Sequence, residues 1–118
     1  MSIKLEVSEP PPQSLEEILK KIFWKEPDVA EKARDFLQHI KEWSRTETPY
    51  TVDQWKQYTV KTGITQSTYS NMLKRLKNAG MIKKTYNKGR GKHELHINKT
   101  FSDSLYTMYT LWEGFTKE

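Results

Sequence analysis

Apart from Tyr69, which falls in an apolar stripe, seven side chains between Gln66 and Arg75 can hydrogen-bond or carry positive charge: Gln66, Ser67, Thr68, Ser70, Asn71, Lys74 and Arg75. Gln and Asn amides can form paired hydrogen bonds with an adenine edge. Hydroxyls bond bases or phosphates, and long cations pair with phosphates. A second group follows, Lys83, Lys84, Lys88, Arg90 and Lys92, its last three members interleaved with Gly89 and Gly91. Glycines let a loop come close to a polyanion, and an arginine on such a loop can enter a minor groove. Lys83 and Lys84, at the base of that loop, suit phosphate contacts.

Charge along the chain sharpens this reading. The 118 residues carry a net charge of +5, unevenly distributed: residues 1–53 hold 8 basic and 11 acidic side chains, and residues 94–118 hold two and four. Between them, residues 54–93 hold ten basic side chains and no acidic one. Solvated surfaces usually mix both signs. A carboxylate-free stretch of this length points to a polyanion, from whose phosphates each cation displaces counterions.

Other chemistries find little support. Glu16 and Glu17 are adjacent, share no helix face, and make no catalytic carboxylate pair. His93 and His96 lie three apart on an expected strand, hence on opposite faces, so joint metal ligation is not expected. His39 stands alone, and no glycine-rich phosphate loop is present. With no cysteine there is no disulfide framework, thiolate site or cysteine nucleophile. No enzyme activity, cofactor or metal is expected. No run approaches the ~18 apolar residues of a membrane helix, and Lys4 and Glu6 interrupt the region where an export signal is apolar. A cytoplasmic, nucleoid-associated protein is the expectation.

The elements that must position these groups can be read from periodicity. Residues 1–13 end in Pro10-Pro11-Pro12 and read as a flexible tail, leaving 14–118 as one domain. Ser14 and Glu17 form a capping box for a helix over about 14–26, with Leu15, Ile18, Leu19, Ile22 and Phe23 in one stripe and Pro27 as its stop. Asp28 and Glu31 open a second over about 28–44, with Val29, Ala33, Phe36, Leu37, Ile40 and Trp43 apolar. Tyr50 fits a very short strand. Thr51 and Gln54 box a helix over about 52–60, with Trp55 and Tyr58 or Thr59 inward. Gly63 makes the turn, Thr65 caps, and a helix over about 66–79 buries Tyr69, Met72, Leu73 and Leu76 before Gly80 ends it. The period then changes. Strands over about 81–86 and 92–97 flank a glycine-containing connection of hairpin type, with Tyr86 best placed in the core. Ser102 or Thr100 caps a last helix over about 102–116.

The segment TVDQWKQYTVKTGITQSTYSNMLKRLKNAGMIKK resembles winged helix-turn-helix DNA-binding proteins, the MarR-, ArsR- and PadR-type regulators among them. The matching features are Gly63-Ile64 at the turn and Ser67-Thr68 opening the second helix. Leu73-Lys74-Arg75-Leu76 within that helix and Ala79-Gly80-Met81-Ile82 leading into the wing complete the set. With the hairpin, the resemblance covers about 50 of the 118 residues and identifies no subfamily. It implies a mainly α domain with a small antiparallel β-wing and extra N- and C-terminal helices. The helix at 66–79 would enter the major groove of double-stranded DNA while the wing touches the flanking minor groove or its phosphates.

Transcriptional repression by occluding a promoter is the simplest work for such a domain. A plasmid- or virus-type partition or replication-initiation factor would use the same contacts. A protein–protein adaptor is the reading from another class, but it leaves the carboxylate-free stretch without a purpose. RNA is disfavoured because the aromatics fall at core spacings. Nothing identifies a small-molecule effector. The last helix lines Phe101, Leu105, Met108, Tyr109, Trp112 and Phe115 along one side, and either closes the core or forms a dimer seam. A small interior has little room for so many rings, so a homodimer through Leu105, Met108, Tyr109, Trp112 and Phe115 is expected. Its twofold would present two recognition helices to half-sites about one helical turn apart.

Overall fold

Ser14 accepts a hydrogen bond from the Glu17 amide and starts helix α1, Leu15–Ile22, in a computed structural model that describes residues 11–118. Most of the expected tail, residues 1–10, lies outside the described residues. The box is only half formed, because the Glu17 carboxylate takes the Gln13 amide and not that of Ser14. α1 stops four residues short of the expected end, although Phe23 continues the apolar stripe and is fully buried. Pro27 opens α2, Pro27–Trp43, where its missing N–H goes unneeded. A 3-10 turn over Val52–Gln54 carries the complete Thr51–Gln54 capping box and leads into α3, Trp55–Thr62.

Gly63 takes φ +76, the left-handed conformation the tight turn requires. Thr65 then caps α4, Gln66–Asn78. Gly80 adopts φ +81, and the amides of Gly80 and Met81 return to the carbonyls of Lys77 and Leu76, which ends α4 in a Schellman motif. Strands β1, Ile82–Asn87, and β2, Lys92–Ile97, pair antiparallel with Ile82 opposite Ile97 and Asn87 opposite Lys92. Tyr50 and Thr51 add a short rung on the far side of β2: the Leu95 amide donates to the Tyr50 carbonyl at 2.9 Å, and Thr51 bridges Glu94. Asn98 accepts from the Thr100 amide and hydroxyl at the start of α5, Thr100–Thr116, in place of the expected Thr100 or Ser102 cap.

The fold is therefore mainly α with a small antiparallel β-wing, flanked by additional N- and C-terminal helices. Its core gathers Leu19, Ile22 and Phe23 of α1 with Phe36 and Ile40 of α2, Met72 and Leu76 of α4, and Ile82 and Leu95 of the wing. Phe36 is the centre of a ring cluster, edge-on to Tyr50, Tyr58 and Tyr69 at centroid distances of 5.6, 5.1 and 5.5 Å. The hydroxyls of Tyr50 and Tyr69 meet at 2.5 Å, so a buried polar contact fixes α4 against the strand beside the wing. Burial raises the pKa of all three tyrosines, that of Tyr58 to about 12.

Candidate nucleic-acid interface

The outward face of α4 follows from its inward one. Tyr69, Met72 and Leu76 are buried, and Leu73 packs partly on the core. Gln66, Ser67, Ser70, Lys74, Lys77 and Asn78 are exposed. Lys77 was not expected among the contact residues, although it lies one turn beyond Lys74 and Ser70 on the same side. Lys83, Lys84 and Lys88 of the wing are also exposed. The helix and wing thus present six exposed lysines, Lys92 among them, and no carboxylate lies in either segment before Glu94.

Several expected contacts turn back into the protein. The Arg75 guanidinium donates to the Ile22 carbonyl at 3.1 Å and lies 5.8 Å over the Phe23 ring, tying α4 to the end of α1. Asn71 donates to a Glu26 carboxylate oxygen at 3.4 Å. The Thr68 hydroxyl and amide engage Thr65 within the helix cap. Arg90 donates through Nη1 to the Pro49 carbonyl at 2.9 Å and to Glu94 at 3.0 Å, so it braces the hairpin and does not project from its tip. Lys92 pairs with Asp53 at 3.2 Å on the surface. Thr68 apart, each of these side chains found a partner far away in sequence or inside the wing, which side-chain type alone does not reveal.

Glu94 is the residue that organises the wing. Only 5% exposed, it accepts from Asn87 Nδ2 at 2.9 Å, from Arg90 Nη1 at 3.0 Å, and meets His96 Nε2 at 2.9 Å. His96 Nδ1 in turn lies 3.2 Å from Ser44 Oγ, at the C-terminal end of α2. Hydrogen bonds from His96, Asn87 and Arg90, with the nearby His96 charge, hold the Glu94 carboxyl below the ordinary range. The signal available in the sequence was that Glu94 closes the carboxylate-free stretch four residues after Arg90.

His93 and Tyr86, opposite one another in the register, bring their rings to 4.9 Å, tilted by 58°, near the wing tip. Tyr86 is 56% exposed and not in the core as expected. A cavity of about 180 Å³ between α2 and α3 is lined by His39, Trp43, Tyr50, Gln54, Gln57, Tyr58 and Lys61. Burial and the Lys61 charge lower the pKa of His39 there, which outweighs the raising effect of Glu42.

α5 does not close the core. Among its apolar residues Phe101 packs partly on the body, and the helix contributes no buried residue. Leu105, Met108, Tyr109, Trp112 and Phe115 are all exposed, Trp112 at 63% and Phe115 at 64%.

Fold and surface together define a helical domain with a β-wing whose fourth helix and hairpin both expose lysines, with Glu26 and Asp53 as carboxylates at their margins. The chain belongs to an archaeal family whose model matches residues 12–116, a span that takes in all five helices and both strands. No curated protein and no solved structure matches it. Among the described residues no helix is long and apolar enough to cross a membrane.

Proposed function

We propose that this protein binds double-stranded DNA, with α4 in the major groove and the β1–β2 hairpin against the flanking backbone, and regulates transcription by occupying a promoter. It would then act in the cytoplasm, on the chromosome. The observation that carries this reading is the exposed side of α4. Ser67, Ser70 and Lys74 occupy its centre, Gln66 and Lys77 flank it, and no neighbouring helix covers them. Short polar groups near the helix start with cations beyond them are suited to base edges and phosphates respectively. The capped N-terminus of α4 adds a favourable place for a phosphate.

Leaving aside Lys92, which pairs with Asp53, the exposed lysines Lys74, Lys77, Lys83, Lys84 and Lys88 set the expected salt dependence. At about 0.9 per phosphate neutralised, log K should fall with log salt with a slope of roughly −4 to −5 for each protein chain bound. Fluorescence anisotropy on a labelled duplex from low to moderate salt measures this slope. Absence of duplex binding at low salt would remove the DNA reading and favour a protein–protein adaptor. A footprint over the DNA flanking the protein's own gene then separates promoter occupancy from a role in partition or replication.

A further inference from the structure

The apolar line of α5 has the spacing of a helix-pairing seam. Phe101, Leu105, Met108, Trp112 and Phe115 are separated by four, three, four and three residues, the spacing that keeps one edge of a helix facing another helix. Tyr109 and Leu111 flank the line, and Asp103, Thr110 and Gly114 fall on the opposite side. Phe101 packs partly on the body, while the rest of the line extends away from it. Leu105, Met108, Tyr109, Leu111, Trp112 and Phe115 are each 42–70% exposed and together leave an apolar patch of several hundred Å², at or above the upper end for an ordinary monomer. A patch of that order approaches the ~800 Å² per partner of a standard-size complex.

We infer that α5 pairs antiparallel with α5 of a second copy of this chain, about a twofold axis that crosses the helices near Thr110. The antiparallel direction fills the seam more evenly than the parallel one. A parallel, in-register pair would set Trp112 on Trp112 and Phe115 on Phe115, with thin Leu105 and Met108 layers beside them. In the antiparallel pair Leu105 meets the partner's Phe115 and Met108 meets the partner's Trp112, and both contacts recur through the twofold. Every layer then joins one aromatic ring to one aliphatic side chain, the large-with-small filling that interdigitated helices need. It is also the reciprocal pairing that a twofold interface imposes. Asp103 stays outside the seam, and Glu113 sits on its outer flank, so like charges are not driven together. The absence of any Lys or Arg from residues 100–116 argues against an anionic lipid surface as the occupant.

The pairing has a geometric consequence. With the axis near residue 110, the two Thr100 positions lie twenty residues apart along the helix pair, about 30 Å at 1.5 Å per residue. That is close to the ~34 Å between half-sites one DNA turn apart. This last match rests on the DNA reading; the pairing does not.

Because the chain has no cysteine, single cysteines can report the direction of pairing without DNA. Light scattering at tens of micromolar should give a dimer for the wild type and a monomer for Trp112→Glu, with the same unfolding of the body. Under a mild oxidant, a mixture of Leu105→Cys and Phe115→Cys proteins should form the mixed disulfide at least tenfold more than either protein alone. A monomeric wild type would overturn the inference. So would efficient self-crosslinking of Leu105→Cys alone, which indicates parallel helices. Neither readout involves a duplex, so a failure of DNA binding leaves this test intact, and the reverse also holds.

Discussion

Glu94 holds the wing together through three side-chain partners on its two strands and their connecting loop. A carboxylate held below its ordinary pKa stabilises the fold at any pH above its unfolded value near 4.5, and that contribution fades as pH falls through the lower folded value. Unfolding should therefore become easier on acidification below about pH 4.5, and Glu94→Gln should flatten that limb in urea melts from pH 6 to pH 3. Glu94→Ala should cost about 1–3 kcal/mol at neutral pH, because Asn87 and Arg90 lose an acceptor inside the protein. At this scale the sequence told charge but not destination. Lys74 and Lys83 stay outside as their spacing suggested, whereas Arg75 found the Ile22 carbonyl, 53 residues away, by a contact that no local pattern encodes. Arg90 was misread for a different reason: its partner lies only four residues on, but across a hairpin whose geometry had to be known first.

Elements were more legible than side chains, since amphipathic period and capping chemistry act locally. The stripe Tyr69, Met72 and Leu76 placed α4 within one residue of its observed end, and β2 has the expected bounds. The end of α1 escaped because Phe23 stays buried after the helix has stopped, so the apolar period outlasts the hydrogen-bonded one. Pro27 was ambiguous in principle, being compatible with stopping one helix and with opening the next. Nothing local could decide whether α5 folds back, because the same stripe serves a core or a seam. Gly80, in contrast, carries a firm expectation. A Cβ there would sit 3.1 Å from the Phe101 amide nitrogen, on a backbone at φ +81. Gly80→Ala should therefore destabilise by at least the ~1–2 kcal/mol of a left-handed non-glycine residue. Thermal melts read that cost, and faster amide exchange at Phe101 and Ser102 would show where it is felt.

Across the whole molecule, the surface divides into cations that remain available and cations already engaged, and the two sets should separate in one experiment. Lys74→Gln with Lys77→Gln should weaken binding to every duplex and lower the salt slope by about 2, with little change in melting. Arg90→Gln should lower the melting temperature, since Arg90 supports Pro49 and Glu94, and leave the salt slope unchanged. An unchanged melt with a reduced slope for Arg90→Gln would show that this side chain swings outward in the complex.

The same Gly80 whose carbonyl accepts the Phe101 amide at 2.9 Å also finishes α4. The root of α5 and the tail of α4 are thereby clamped at a single peptide, with the Asn98 amide fastened to the Met81 carbonyl at 2.8 Å beside it. If α5 is held at its far end by a second copy, as inferred above, torque on it would pass through this one joint to α4, the helix that faces outward. Two bodies yoked in this way would share a common tilt, and small changes in the angle of the yoke would retune which spacing of sites both could reach at once.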